Sequence, residues 1–207
     1  MKVRLRWRRR VRGLAGRLPL IGARWHAVRG RRWLLELLPV ESAGAEIGVW
    51  QGDFSASILA VVRPARLHLV DPWRSAESAH AGALFDRPQT ELDDIAESVR
   101  RRFAPQIATG RVVVHRQMSL DAVAEFGDAS LDWVYVDGDH AYGAVRADIA
   151  AYAVKVRPGG HVCGDDYRPG GRYGGGVKRA VDEVVAAGAL ELVVQRDRQF
   201  VLRVPVT

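Results

Sequence analysis

Two short stretches of the chain gather groups capable of chemistry at the ends of apolar runs. "LDWVYVDGDHAY" stops at Asp137-Gly138-Asp139-His140, and "HVCGDDY" stops at Asp165-Asp166. Carboxylates at such positions are costly to bury unless they are paired or hold a cation. If the two runs are neighbouring parallel strands, about 4.8 Å apart, Asp137, Asp165 and Asp166 converge on one small volume. Three like charges there call for a divalent cation, and an all-oxygen ligand set favours Mg²⁺. His140 lies three residues after Asp137 and has an ordinary pKa of about 6.5, suited to accepting a proton. Asp139 reads as the cap of a helix starting at Ala141. Tyr142 and Tyr167 read either as packing residues or as walls of an acceptor pocket. His161, inside an apolar strand, reads as a core histidine, while His80 and His115 carry no usable signal.

A second group of residues points to a ligand. In "AEIGVWQGDFS" an apolar strand runs through Glu46 and Gly48 to Gly52, and Asp53-Phe54-Ser55 opens a helix. Glycines at a strand-to-helix turn allow close backbone approach to a ligand. A dinucleotide fold would use G-x-G-x-x-G; here the spacing is G-x-x-x-G and an acid precedes it, which suits a cationic ligand better than a pyrophosphate. Asp71 ends the next strand, "LHLVDPW", where a carboxylate can accept hydrogen bonds from both hydroxyls of a ribose.

The elements that must position these residues alternate. Apolar strands are expected at 45–50, 67–70, 111–115, 131–136 and 161–164, with helices near 53–62, 91–103, 120–126, 141–156 and 177–187. This pattern implies right-handed βαβ units and a parallel sheet covered by helices on both faces. "LELVVQRD" and "QFVLRVP" are separated only by a short polar turn, so the chain should close with an antiparallel hairpin. The segment from Arg74 to Gln89 reads as a loop or lid, and "RPGGRYGGG" at 168–176 as a glycine-rich loop. Residues 24–40 read as a helix with Trp25, Val28, Trp33, Leu34, Leu37 and Leu38 on its apolar side.

With these elements in place, "AEIGVWQGDFS" and "LHLVDPW" resemble the first two motifs of the class I S-adenosylmethionine-dependent methyltransferases, over about residues 42–205. The resemblance implies a Rossmann-like α/β fold, a seven-stranded, mostly parallel sheet ending in an antiparallel hairpin. It also implies that Glu46, Gly48, Gly52 and Ser55 line the methionine end of the cofactor and that Asp71 holds the ribose. Ser119, with Gln117 and Met118 as neighbours, would lie beside the adenine. The pairing of D-G-D-H-x-Y with D-D-Y resembles the Mg²⁺-dependent macrocin and mycinamicin sugar O-methyltransferases. That branch implies Asp137, Asp165 and Asp166 as metal ligands and His140, together with Asp137, as the catalytic groups. It also implies a sugar hydroxyl of a glycoside or oligosaccharide as acceptor, extending to methylated polysaccharides. The catechol-type enzymes use a similar carboxylate site, usually with Asp-Asn where this chain has Asp-Asp, so a phenolic or other small-molecule hydroxyl is the second reading.

Bulk properties frame the rest. The chain has 207 residues and one cysteine, Cys163, in an apolar run, so no internal disulfide can form and a reducing, cytoplasmic compartment is expected. Residues 1–32 carry twelve Lys or Arg and no acid, leaving nineteen cations against twenty-four acids in the remainder. We therefore expect a basic arm and helix over 1–40 and a methyltransferase domain over 41–207. No run approaches the roughly 20 apolar residues of a membrane span, and neither a signal nor a transit peptide is expected. The arm alone argues for a nucleic-acid-associated, S-adenosylmethionine-binding module. Since no RNA- or DNA-binding motif accompanies it, no specific nucleic acid is expected, but rather a weak anionic surface contact or a contact within a homodimer.

Overall fold

The computed structural model describes residues 24–75, 87–170 and 174–206, and the side chains from residue 30 onward. Most of the basic arm, the side chains of Trp25 and Val28, His80 and the centre of the expected lid lie outside the described residues.

Seven strands form one sheet: β1 (Ala43–Ile47), β2 (Arg66–Val70), β3 (Val112–His115), β4 (Leu131–Val136), β5 (Val156–Gly164), β6 (Glu191–Arg196) and β7 (Gln199–Arg203). Their order is β3-β2-β1-β4-β5-β7-β6. The first five strands are parallel, and β7 pairs antiparallel with both β5 and β6. The helices are α1 (Arg24–Leu35), α2 (Asp53–Val61), α3 (Gln89–Arg102), α4 (Ala104–Ala108), α5 (Ser119–Ala122), α6 (Tyr142–Ala153) and α7 (Gly176–Ala186). The chain order reverses direction across the sheet between β1 and β4, the place where open α/β sheets form a ligand crevice beyond the carboxyl ends of their strands.

The sheet separates two cores. Alternation along β4 sends Trp133 and Tyr135 to one face, with Leu34, Leu35, Phe54, Ile58 and Val99, and sends Val134 and Val136 to the other, with Val145, Ile149 and Val181. Helix α1 belongs to the first core through Leu34 and Leu35, joined by Leu38 from the turn that follows it, while Leu37 is exposed. The expected apolar side is therefore rotated, and Arg31, one turn before Leu34 and Leu35, shares their inward face. Helix α4 follows α3 almost directly and was not expected; Pro105 occupies its first turn, where a missing N–H has no intrahelical partner to lose. Among the described residues, no helix is long and apolar enough to cross a membrane.

Candidate active site

The glycine turn after β1 is fixed by steric need. Gly48 has φ 89°, and a Cβ there would fall 2.3 Å from the Asp137 carbonyl oxygen; the Asp137 N–H donates to the Ile47 carbonyl at 2.8 Å. The ends of β1 and β4 are thus locked together, so the expected cofactor turn and the Asp137 segment adjoin. Gly52 has φ 75°, and its Cβ would meet the Phe103 ring at 2.8 Å. Both glycines are required by packing whether or not a ligand lies above them.

Asp71 organises the same turn. Its Oδ2 accepts from the N–H groups of Val49 (3.0 Å) and Trp50 (2.9 Å), and its Oδ1 from that of Trp73 (2.8 Å). Burial raises the Asp71 pKa, opposed by these three bonds. Oδ1 retains acceptor capacity for a ligand hydroxyl. Beneath the turn, Glu46 is 1 % exposed and accepts a hydrogen bond from the Ser55 hydroxyl. Burial, helped by the charge of Asp137, pushes the Glu46 carboxyl up to about 8. An acid held neutral in this way ionises readily once a positive ligand group arrives.

The expected adenine residues are less tightly gathered. The Ser119 hydroxyl donates to Asp148 at 2.5 Å, and Tyr152 donates to the Ser119 carbonyl at 2.8 Å, so Ser119 ties α5 to α6. The Gln117 Oε1 is buried without a partner among the described residues, and the Met118 side chain is exposed.

At the ends of β4 and β5, two of the three expected carboxylates converge. Asp137 Oδ2 lies 2.6 Å from one terminal nitrogen of Arg31, and Asp165 Oδ2 meets the other. Gln199 Nε2 donates to Asp165 Oδ1 at 3.0 Å. Asp166, with φ 59°, turns elsewhere: its carboxylate meets His140 Nδ1 at 3.0 Å and pairs with Arg198 and Arg168. The expected three-carboxylate cluster is therefore split. Among the described residues no group of three or more His, Cys, Asp or Glu is arranged to hold a metal. The Asp137–Asp165 pair still suits Mg²⁺, which commonly uses one or two carboxylates and fills its remaining positions with water or substrate oxygens.

His140 sits between the two halves of the split cluster, its Nε2 3.3 Å from Asp137 Oδ1. Burial works against the imidazolium, but hydrogen bonds and charge from Asp137 and Asp166 outweigh it and raise the pKa from 6.5 to about 9. His140 in turn holds Asp166 down to about 2. Gly176, at the start of α7, packs on this segment so closely that a Cβ would fall 2.6 Å from the His140 carbonyl oxygen.

The two tyrosines brace α7. Tyr142 donates to Glu183, and Tyr167 donates to Asp182 at 2.6 Å. Asp139 accepts from the Ala141 N–H at 2.8 Å, an Asx turn leading into α6, whose N-cap position is held by Ala141 rather than by Asp139. His161 is half-buried with its pKa lowered by burial, and His115 Nε2 lies 2.9 Å from His68 Nδ1, a pairing with no sequence signal.

Two site residues went unread in the sequence. Arg31 is the only cation bridging Asp137 and Asp165 among the described residues, and its i+3, i+4 spacing to Leu34 and Leu35 was the available signal. Tyr135 shares its strand face with Asp137 by period-two alternation. It is fully buried, packs against Phe54 with the rings tilted by 41° and their centroids 4.4 Å apart, and its hydroxyl has no partner among the described residues.

A family profile described as a methyltransferase domain matches residues 45–167. No curated protein matches the chain. Several solved structures share the fold. TomG of Streptomyces achromogenes, an O-methyltransferase involved in tomaymycin synthesis and solved with SAM, is 18 % identical, with a TM-score of 0.62 over 87 % of this chain and 80 % of that one. An O-methyltransferase from Bacillus cereus in complex with SAH is 15 % identical, with a TM-score of 0.61 over 87 % and 81 %. The cofactor-bound Rv0187 from MTB is 16 % identical, with a TM-score of 0.65 over 92 % and 84 %.

Proposed function

The chain belongs to the methyltransferase-domain family, and on that premise we propose that it transfers the methyl group of S-adenosylmethionine to a hydroxyl oxygen, with a sugar as acceptor and Mg²⁺ at the Asp137–Asp165 pair. The observation that carries this reading is the convergence of Glu46, Asp137, Asp165 and His140 at the carboxyl ends of β1, β4 and β5. The solved relatives with SAM and SAH support the cofactor, and the pairing of D-G-D-H-x-Y with D-D-Y supports the sugar and the metal.

In this reading Asp71 and the glycine turn hold the ribose, and the carboxyl of Glu46 faces the cationic methionine end of the cofactor. Ser55 orients Glu46 and keeps its second oxygen free for that ligand. Ser119, Gln117 and Met118 flank the adenine. Asp137 and Asp165 would hold the cation, which would lower the pKa of an acceptor hydroxyl and offset the charge of Asp137, one of the two carboxylates that keep His140 protonated. His140 then accepts the hydroxyl proton at a ring nitrogen, and Asp166 steadies the ring from the other side. The oxygen attacks the sulfonium methyl, the carbon–sulfur bond breaks, and S-adenosylhomocysteine leaves. Most of the chain's contribution is alignment of oxygen, methyl and sulfur. Tyr142 and Tyr167 anchor the α7 side of the acceptor opening.

Methyl transfer from radiolabelled S-adenosylmethionine to methyl glucoside, methyl mannoside and catechol, with and without EDTA, tests the proposal. A labelled methyl ether of a glycoside that disappears with EDTA supports it. Exclusive labelling of catechol would transfer the assignment to phenolic acceptors, and cofactor binding with salt-sensitive RNA binding and no transfer would favour a binding module.

A further inference from the structure

The cation that Asp137 and Asp165 hold in this structure belongs to the chain itself. Arg31 reaches both carboxylates with its two terminal nitrogens, and its guanidinium lies 5.2 Å from the Phe54 ring centroid. The arrangement is built rather than incidental. Arg31 is on the inward face of α1, and Leu34, Leu35 and Leu38 seat that helix in the core beside Phe54. Its side chain is 20 % exposed and Asp165 is 4 % exposed, so the ion pair is largely withdrawn from water. The buried hydroxyl of Tyr135, unpartnered among the described residues, feels the charges of Asp137, Arg31 and Asp165. It is a polar group left for a ligand that the guanidinium does not supply.

We propose that Arg31 is an intramolecular occupant of the cation position, so that its guanidinium and a divalent cation exclude one another between Asp137 and Asp165. Helix α1 thereby links the N-terminal segment to the state of the active site. With α1 docked, the two carboxylates are neutralised by the chain; when the cation binds, Arg31 must withdraw, and the Tyr135 hydroxyl gains a bound water or acceptor oxygen as partner. The apparent affinity for the cation is reduced by the fraction of molecules in which Arg31 holds the pair. The inference rests on the reading of Asp137 and Asp165 as the cation site, and its test separates the two.

The test is Mn²⁺ binding to the full chain, followed by the electron paramagnetic resonance signal of free Mn²⁺, for wild type, Arg31→Gln, Arg31→Lys and Asp165→Asn. Arg31→Gln should bind Mn²⁺ at least about tenfold more tightly than wild type, since the competing charge is gone. Arg31→Lys should stay near wild type, because an ammonium can still neutralise the pair, and Asp165→Asn should lose the site. In the wild-type chain, Mg²⁺ should shift the Arg31 Nε–H signal in a nitrogen-15 spectrum out of its ion-paired position, a readout that does not depend on any Arg31 variant folding. Equal Mn²⁺ affinity in wild type and Arg31→Gln, abolished by Asp165→Asn, would overturn the exclusion while leaving the cation site standing. No Mn²⁺ binding by any variant would overturn both.

Discussion

At the scale of single residues, His140 and Asp71 each carry two duties. The carboxylates flanking His140 keep it protonated at neutral pH, so in the absence of a divalent cation it is an imidazolium bridging Asp137 and Asp166. A proton NMR titration of the chain without added divalent ion should place the His140 midpoint near 9; a midpoint near 6.5 would mean that the two carboxylates do not surround the ring in solution. Because the folded pKa lies above the unfolded one, this interaction stabilises the fold fully below about 6.5 and the contribution is lost as pH rises through about 9. Asp71 accepts three backbone N–H bonds in the turn, so Asp71→Ala should lower stability by about 2 kcal/mol or more, from amides left unpaired. It should also reduce S-adenosylmethionine affinity in calorimetry. A variant that unfolds more readily yet binds the cofactor as tightly would leave Asp71 a brace for the turn and remove it from the ribose. The special character of Asp71 and His140 was legible from their places at strand ends. The charge state of His140 was not, because Asp166 was expected on a shared cation, whereas it turns to the His140 ring and, with Asp137, holds its proton.

At the scale of elements, the five parallel strands were legible as nearly continuous apolar segments, since a parallel sheet is buried on both faces, and β6 and β7 as two runs joined by a short polar turn. β4 lies at 131–136, as its pattern predicts, whereas β1 ends at Ile47, three residues before the end of its apolar run. The reason is Gly48, whose positive φ turns the chain away from the ladder. Gly48→Ala would combine an unfavourable φ with a Cβ 2.3 Å from a backbone oxygen of Asp137. It should therefore cost about 2 kcal/mol or more, read as a lowered thermal midpoint. An unchanged midpoint would contradict the close packing of β1 against β4. Helix α1 was legible as a helix but not as part of the site. The expected apolar side already held Leu34, a neighbour of Arg31 on the helix surface, and Leu38, but nothing in the apolar pattern marks an arginine beside them as the partner of Asp137.

At the scale of the whole molecule, a basic N-terminal segment adjoins a body whose remaining charge is acidic, and Arg31 is where the two meet at the site. The fold was accessible from sequence because strand order and crossover handedness leave few alternatives. The composition of the site was only partly accessible, because the tandem Asp165-Asp166 separates in space: Asp166 takes a left-handed backbone conformation and leaves Asp165 alone with Asp137. In the proposed reaction the Asp137–His140–Asp165 centre activates an acceptor hydroxyl for methylation. The most direct measurement is the single-turnover rate of methyl transfer by His140→Gln at saturating Mg²⁺ and glycoside acceptor, with cofactor affinity measured in parallel. The rate should be lower by roughly 10²- to 10⁴-fold, the usual range for a lost general base, with S-adenosylmethionine affinity nearly unchanged. A rate near that of the wild type would contradict the base role and leave His140 as a structural link between Asp137 and Asp166.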